Sequence, residues 1–132
     1  MKTERGSLTV ELVLLAPVLM VLVLFGVHAG RLGEAKIQVQ HAADQGARAG
    51  SQASEAKLVE SSRHASERDL RLSGVACIDI SIEVERVAAG SVEAVQVSIS
   101  CRVRDDGTEL LGLFPDVVRA SSIEVIDRWR VK

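Results

Sequence analysis

The sequence predicts an α+β chain: a long N-terminal membrane-spanning helix that continues into an amphipathic helix, a second helix, and then a three-stranded antiparallel sheet. Three observations carry this prediction. Residues 12–30 contain no Asp, Glu, Lys or Arg. The stretch that follows repeats small residues at helical spacing. From Cys77 onward, apolar and polar residues alternate in runs separated by turn residues.

The apolar run is nineteen residues long, and His28 is its one ionisable side chain. As a helix it spans about 28 Å at ~1.5 Å per residue, close to the ~30 Å hydrocarbon core of a bilayer. Three readings compete. A buried helix of a soluble domain would be shorter and less continuous. A cleaved secretory signal fits the basic start, Lys2 and Arg5, but has a shorter apolar stretch and a better exit site than HAG at residues 28–30. A retained membrane helix fits both length and continuity. Lys2 and Arg5 on one side face Arg31, Lys36 and Arg48 on the other, so the basic residues do not decide its orientation. Pro17 removes one helical hydrogen bond and predicts a kink or a locally loosened turn. Glu11 is a carboxylate at the mouth of this segment, five residues after Gly6.

Beyond Gly30, the residues Leu32, Ala35, Val39, Ala42, Gly46, Ala49 and Ala53 recur at gaps of three and four. They form a heptad stripe made almost entirely of small side chains. Such a stripe suits close backbone approach, either to the chain's own domain or to other subunits. The first helix is thus expected over residues 7–50, with bends at Pro17, Gly30 or Gly33. A second helix is expected over residues 54–72, with a thin stripe of Ala56, Val59 and Leu70, ended by Gly74.

In CIDISIEVERV, the residues Ile78, Ile80, Ile82 and Val84 share one face. After the turn AAGS, the residues Val95, Val97, Ile99, Cys101 and Val103 do the same. A third run, residues 117–131, places Ile123, Val125, Trp129 and Val131 together, with Asp127 an exception on that face, and DDGTELLGLFPD before it reads as turn, short helical turn and turn. The sum is a meander with one face on the helix stripe and the other in water. Matching the apolar faces sets Ile80 opposite Ile99 and Ile82 opposite Val97. Cys77 then falls opposite Arg102, on the other face from Cys101. A Cys77–Cys101 disulfide, favoured if this region lies outside the cytoplasm, requires a bulge or a Cys77 just ahead of the regular strand; the alternative is two buried free thiols.

Composition narrows the function. The formal charge is -2 with no basic block, which argues against a nucleic-acid partner. Aromatics are limited to Phe25, Phe114 and Trp129, too few for base or sugar stacking. His28, His41 and His64 are scattered and form no zinc-type spacing with the cysteines, so neither metal nor cofactor is expected. No phosphate loop, nucleophile elbow or paired carboxylate motif is present, and an enzyme is not expected.

Gly6, then Glu11, then a long apolar helix resembles the class III signal of type IV pilin-like precursors. Further along, ERGSLTVELVLLAPVLMVLVLFGVHAGRLGEAK and HAADQGARAG resemble the TadE-like family, pseudopilins of tight-adherence (Flp-type) pilus systems, and the ending SIEVIDRWR is similar to the close of many TadE-like chains. Leu12 stands where that pattern has an aromatic, and His28 where it often has a glutamate. The resemblance implies a prepilin-type membrane peptidase that cuts between Gly6 and Ser7 on the cytoplasmic side. It implies a Glu11 that meets the new N-terminal amine of a neighbouring subunit. Its partners would be membrane lipid, other pilin-like subunits and the pilus assembly machinery. The implied organisation is a cytoplasmic leader over residues 1–6, a transmembrane helix over 7–30, an extracytoplasmic helical region over 31–73 and a sheet region over 74–132. The alternative is an unprocessed single-pass envelope protein whose outer domain binds a ligand or partner; a third reading is a domain released by ordinary signal cleavage.

Overall fold

The computed structural model describes residues 4–75, 77–104 and 117–126, with side chains from residue 10 onward. The elements run α1 (Glu4–Gln52), a 3-10 turn (Glu55–Lys57), α2 (Leu58–Ser73), β1 (Cys77–Ala89), β2 (Val92–Val103) and β3 (Val117–Val125). The strands form one antiparallel sheet in the order β1-β2-β3. By compactness the chain divides into two units, Met1–Arg31 and Leu32–Lys132. The loop DDGTELLGLFPD and the positions of Trp129 and Val131 lie outside the described residues.

From Glu4 onward the first unit is helical, and α1 is unbroken through Pro17. The second unit is a two-layer domain built around one strand. Val95, Val97, Ile99 and Cys101 of β2 are all buried, and with Val39, Ala42, Ala43 and Ala47 of α1 and Leu58 and Leu70 of α2 they make the core. Burial concentrates on β2 because it has a neighbour on each side and helices over one face.

The small stripe of α1 packs inside this domain. Ala35, Val39, Ala42, Ala43, Gly46, Ala47 and Gly50 are buried, while Ala49 and Ala53 are half-buried. A Cβ added at Gly46 would collide with Ser66 Oγ and crowd the Ser62 carbonyl oxygen, and one at Gly50 would collide with Ser62 Oγ. Two glycines four apart on α1 therefore meet two serines four apart on α2. Ser66 Oγ donates to the Ala42 carbonyl at 3.1 Å, which joins the helices through a backbone acceptor. The inner stripe of α2 is Leu58, Ser62, Ser66 and Leu70. Of the three residues expected on this stripe, Leu70 is buried, but Ala56 and Val59 are exposed. The serines are what bring α2 close, because a larger residue would not fit against Gly46 and Gly50. Gly74 ends α2 with φ +69, the left-handed conformation that closes a helix without a Cβ penalty.

The hairpin register differs from simple face matching by two residues. Ile80 pairs with Cys101, Ile82 with Ile99 and Val84 with Val97. A two-residue shift keeps every side chain on its face, so the apolar pattern alone does not distinguish the registers. The turn does. Ala89 pairs with Val92, which makes Gly90 the first of two central residues, and only Gly90 takes positive φ, +66. Glycine in the first central position is the type II′ arrangement, whose twist suits a two-residue hairpin.

The register also shifts between Cys77 and Asp79, where Ile78 is inserted as a bulge. That extra residue turns Cys77, opposite Val103, onto the face that holds Cys101. The two are joined by a disulfide with Cα atoms 5.5 Å apart. Closing a loop with this separation of 24 residues stabilises the domain by ~3 kcal/mol in the chain-entropy account.

The third strand departs furthest from its sequence pattern. Val118, Ala120, Ser122 and Glu124 alternate toward the helices, and Val118 is buried. Ile123 and Val125, expected inside, are 55% and 52% exposed. The physical reason is the pairing with β2: Ala120 lies opposite Ile99 and Val118 opposite Cys101, both core positions. On the outer face, Val125 and Val87 flank and cover the small Ala94.

Candidate functional site

The site singled out by the sequence is the N-terminal segment from Gly6 to the end of the apolar run. Gly6 and Ser7 lie in the first turns of α1, where only the backbone is described. Glu11 follows four residues after Ser7, one helical turn and ~6 Å along the axis. Its side chain is exposed.

From Val10 to Val27 the large apolar side chains of α1 are all exposed, with values from 49% at Phe25 to 70% at Leu12. They cover every side of the helix rather than one stripe. A helix apolar all round needs an apolar medium or apolar neighbours. Among the described residues this is the one helix long and apolar enough to cross a membrane. His28 interrupts the band and is only half-exposed.

The ion pairs described in the second unit join its elements to one another. His41 Nδ1 stands 2.9 Å from Asp69 Oδ2 and ties α1 to α2. Arg86 reaches Glu55 at 2.8 Å, and Arg48 lies 3.7 Å from Glu124. Each pair is partly or largely exposed and is worth at most ~1 kcal/mol. Among the described residues no cluster of three His, Cys, Asp or Glu is placed to hold a metal ion.

What sequence reasoning missed is the glycine–serine contact between the two helices. The signal was present as G46-x-x-x-G50 and S62-x-x-x-S66, two small-residue pairs at matching spacing. The segment HAADQGARAG, which carried part of the family resemblance, is the part of α1 where Ala42, Ala43, Gly46, Ala47 and Gly50 become buried.

Residues 6–48 match the sequence model of the TadE-like protein family, the family that this segment resembles on its motifs. The match begins at Gly6, runs through Glu11 and the exposed apolar band, and ends within the buried small-residue stripe. No match was found among curated proteins or among solved structures.

Proposed function

We propose, with the TadE-like match over residues 6–48 as the premise, that this chain is a minor pilin-like (pseudopilin) subunit of a tight-adherence pilus or a related secretion apparatus. At the coarser level the family supports a Tad pilus-associated protein with a structural rather than an enzymatic role. The long exposed apolar helix fits a single-pass membrane protein in such a system. In the finer reading, residues 1–6 are a cytoplasmic leader and the domain from Leu32 onward is extracytoplasmic. The disulfide is compatible with an oxidising compartment.

The chemistry of assembly follows from one cut. A prepilin-type peptidase cleaves between Gly6 and Ser7 and leaves a positive amine on Ser7. Glu11 is then one helical turn from that amine and within the first turn of the shortened helix. A carboxylate at the edge of the hydrocarbon region costs less when it is paired. In an assembly the amine of a neighbouring subunit supplies the partner, so that docking neutralises two charges in the membrane. Adhesion would follow from incorporation into, or initiation of, a surface filament.

The observation that carries this reading is the coincidence of the family match with the apolar, exposed part of α1. Mass spectrometry of the mature N-terminus, in cells holding the cognate peptidase, tests it. The expected product starts at Ser7. An intact Met1 would instead support the unprocessed envelope protein, and a start near Arg31 a released domain. Gly6→Val is expected to block processing, and normal maturation of that variant would sink the pilin reading. Glu11→Ala should leave anchoring intact and impair pilus assembly.

A further inference from the structure

We propose that the end of the second unit at which the chain enters, around Leu32, docks on an anionic phospholipid surface through Ile37, Leu72 and the cations beside them. The inference rests on the apolar run of α1 being a membrane span and is independent of leader cleavage.

The two most exposed large apolar side chains among the described residues lie outside the apolar run. Leu72 is 77% and Ile37 72% exposed, above every residue of that run. They stand at one end of a helical pair. Gly50 meets Ser62, Gly46 meets Ser66 and His41 meets Asp69, so α1 and α2 run antiparallel side by side. Ile37 stands one turn before His41, and Leu72 follows Asp69 by nearly a turn, so both lie beyond that pair in the same direction. The sheet reaches the same end. Gly46 lies against Val97 and Gly50 against Val95, so β2 also runs opposite to α1 and its last residues come level with the start of the domain. There Cys77 pairs with Val103, and the neighbouring Ile78 is 54% exposed.

Charge is sorted along the same axis. At this end Lys36, Arg71 and Arg104 are exposed and form no ion pair among the described residues. The carboxylates beside them are engaged. Glu34 accepts a hydrogen bond from Gln38 Nε2 at 3.3 Å, and Asp79 lies 3.6 Å from Arg102. At the opposite end, Arg86 and Arg48 are taken up by Glu55 and Glu124.

Free cations around exposed apolar side chains suit the boundary of a bilayer. The cations meet phosphate headgroups, and the apolar side chains reach toward the acyl region beneath. A protein partner would have to bring its own acidic and apolar complement, whereas a bilayer crossed by the apolar run is already close. Ile37 belongs to the same helix as that run, seven residues beyond Gly30. Seven residues are about 10 Å of helix, and the headgroup layer on each side of the hydrocarbon core is ~5–8 Å deep.

The native cysteines are joined in a disulfide, so an introduced cysteine is the one free thiol. The test uses the full chain in lipid nanodiscs, one copy per disc, with a nitroxide on Leu72→Cys or on Val59→Cys. Val59 is 50% exposed at the other end of α2. Electron paramagnetic resonance reads the collision of each label with a water-soluble nickel chelate. In discs of phosphatidylcholine and phosphatidylglycerol in equal parts, the label on α2 at 72 should be about threefold less accessible than the label at 59. In phosphatidylcholine alone the two should agree to within about 1.5-fold. Lys36→Glu with Arg71→Glu, and separately Ile37→Gln, should abolish the protection in anionic discs. Circular dichroism melting checks that each variant folds. Equal accessibility of the two labels in anionic discs overturns the proposal. So does protection indifferent to headgroup charge and to charge reversal, or protection seen only when a disc holds two copies, which would make a second copy the occupant. A chain that fails to enter the discs removes the membrane span and the docking with it. A chain that enters with position 72 accessible removes the docking alone.

Discussion

The two halves of α1 invert the usual relation between side-chain size and burial. Before Arg31 the helix is rich in Leu, Val, Met and Phe, and those large apolar side chains are exposed. After Leu32 the buried residues are mostly Ala and Gly, while Ile37, the largest apolar residue of that stretch, is 72% exposed. One half is built to present apolar area to its surroundings, and the other to let α2 and β2 come close. Size in the first half fits an apolar surrounding such as a bilayer, where apolar area is favoured on every side. Smallness in the second serves shape, because the area buried per alanine is modest and the gain lies in tight packing.

The largest way to break this contrast is a charge in the middle of the first half. Val21→Asp should lower membrane insertion by ~3 kcal/mol at the helix centre and leave the unfolding of the domain unchanged. Alkaline extraction of membranes reads the first effect and denaturant melts in detergent read the second. If insertion is unaffected, the exposed band is not a membrane span.

Adding one methyl group separates the halves next. Gly30→Ala meets nothing within 4 Å, and helix propensity favours alanine by ~1 kcal/mol, so the domain should lose no stability. At Gly46 the same gain opposes a collision with Ser66 Oγ and the Ser62 carbonyl oxygen. Overpacking of a tight contact typically costs ~1–3 kcal/mol, so Gly46→Ala should destabilise by up to about 2 kcal/mol net. Equal melting points for the two variants would show that the helices are not in close contact at Gly46.

The smallest effect has opposite signs within one helix. Ser66→Ala removes the hydrogen bond to the Ala42 carbonyl and should cost about 1 kcal/mol. Ser62 Oγ is buried without a hydrogen-bond partner among the described residues, so Ser62→Ala should be neutral or stabilise by a few tenths to 1 kcal/mol. Paired urea titrations resolve the difference; destabilisation of equal size at both sites would contradict the assignment.

Legibility in the sequence was uneven. The apolar span and Gly74 could be read because each depends on local chemistry: a run without charges and a residue that tolerates positive φ. The strand runs could be read from alternation. Ile123 and Val125 misled, because alternation says which residues share a face and not which face turns inward. Ser62 and Ser66 were passed over because a count of apolar residues scores serine as polar, whereas at a close helix contact its small volume matters more. In the candidate site, Gly6, Ser7 and Glu11 were legible only as a motif.

The amino-acid order by itself determined the apolar span, the two helices, the three antiparallel strands and the GxxxxE spacing, since each rests on residues close together in the chain. Only the tertiary structure decided the hairpin register, the bulge at Ile78 that brings Cys77 to Cys101, the inward face of β3 and the seating of Gly46 and Gly50 on two serines. These depend on which surfaces meet. A shift of two residues along a strand, or an exchange of one helix face for its neighbour, leaves local preferences nearly unchanged and alters every long-range contact.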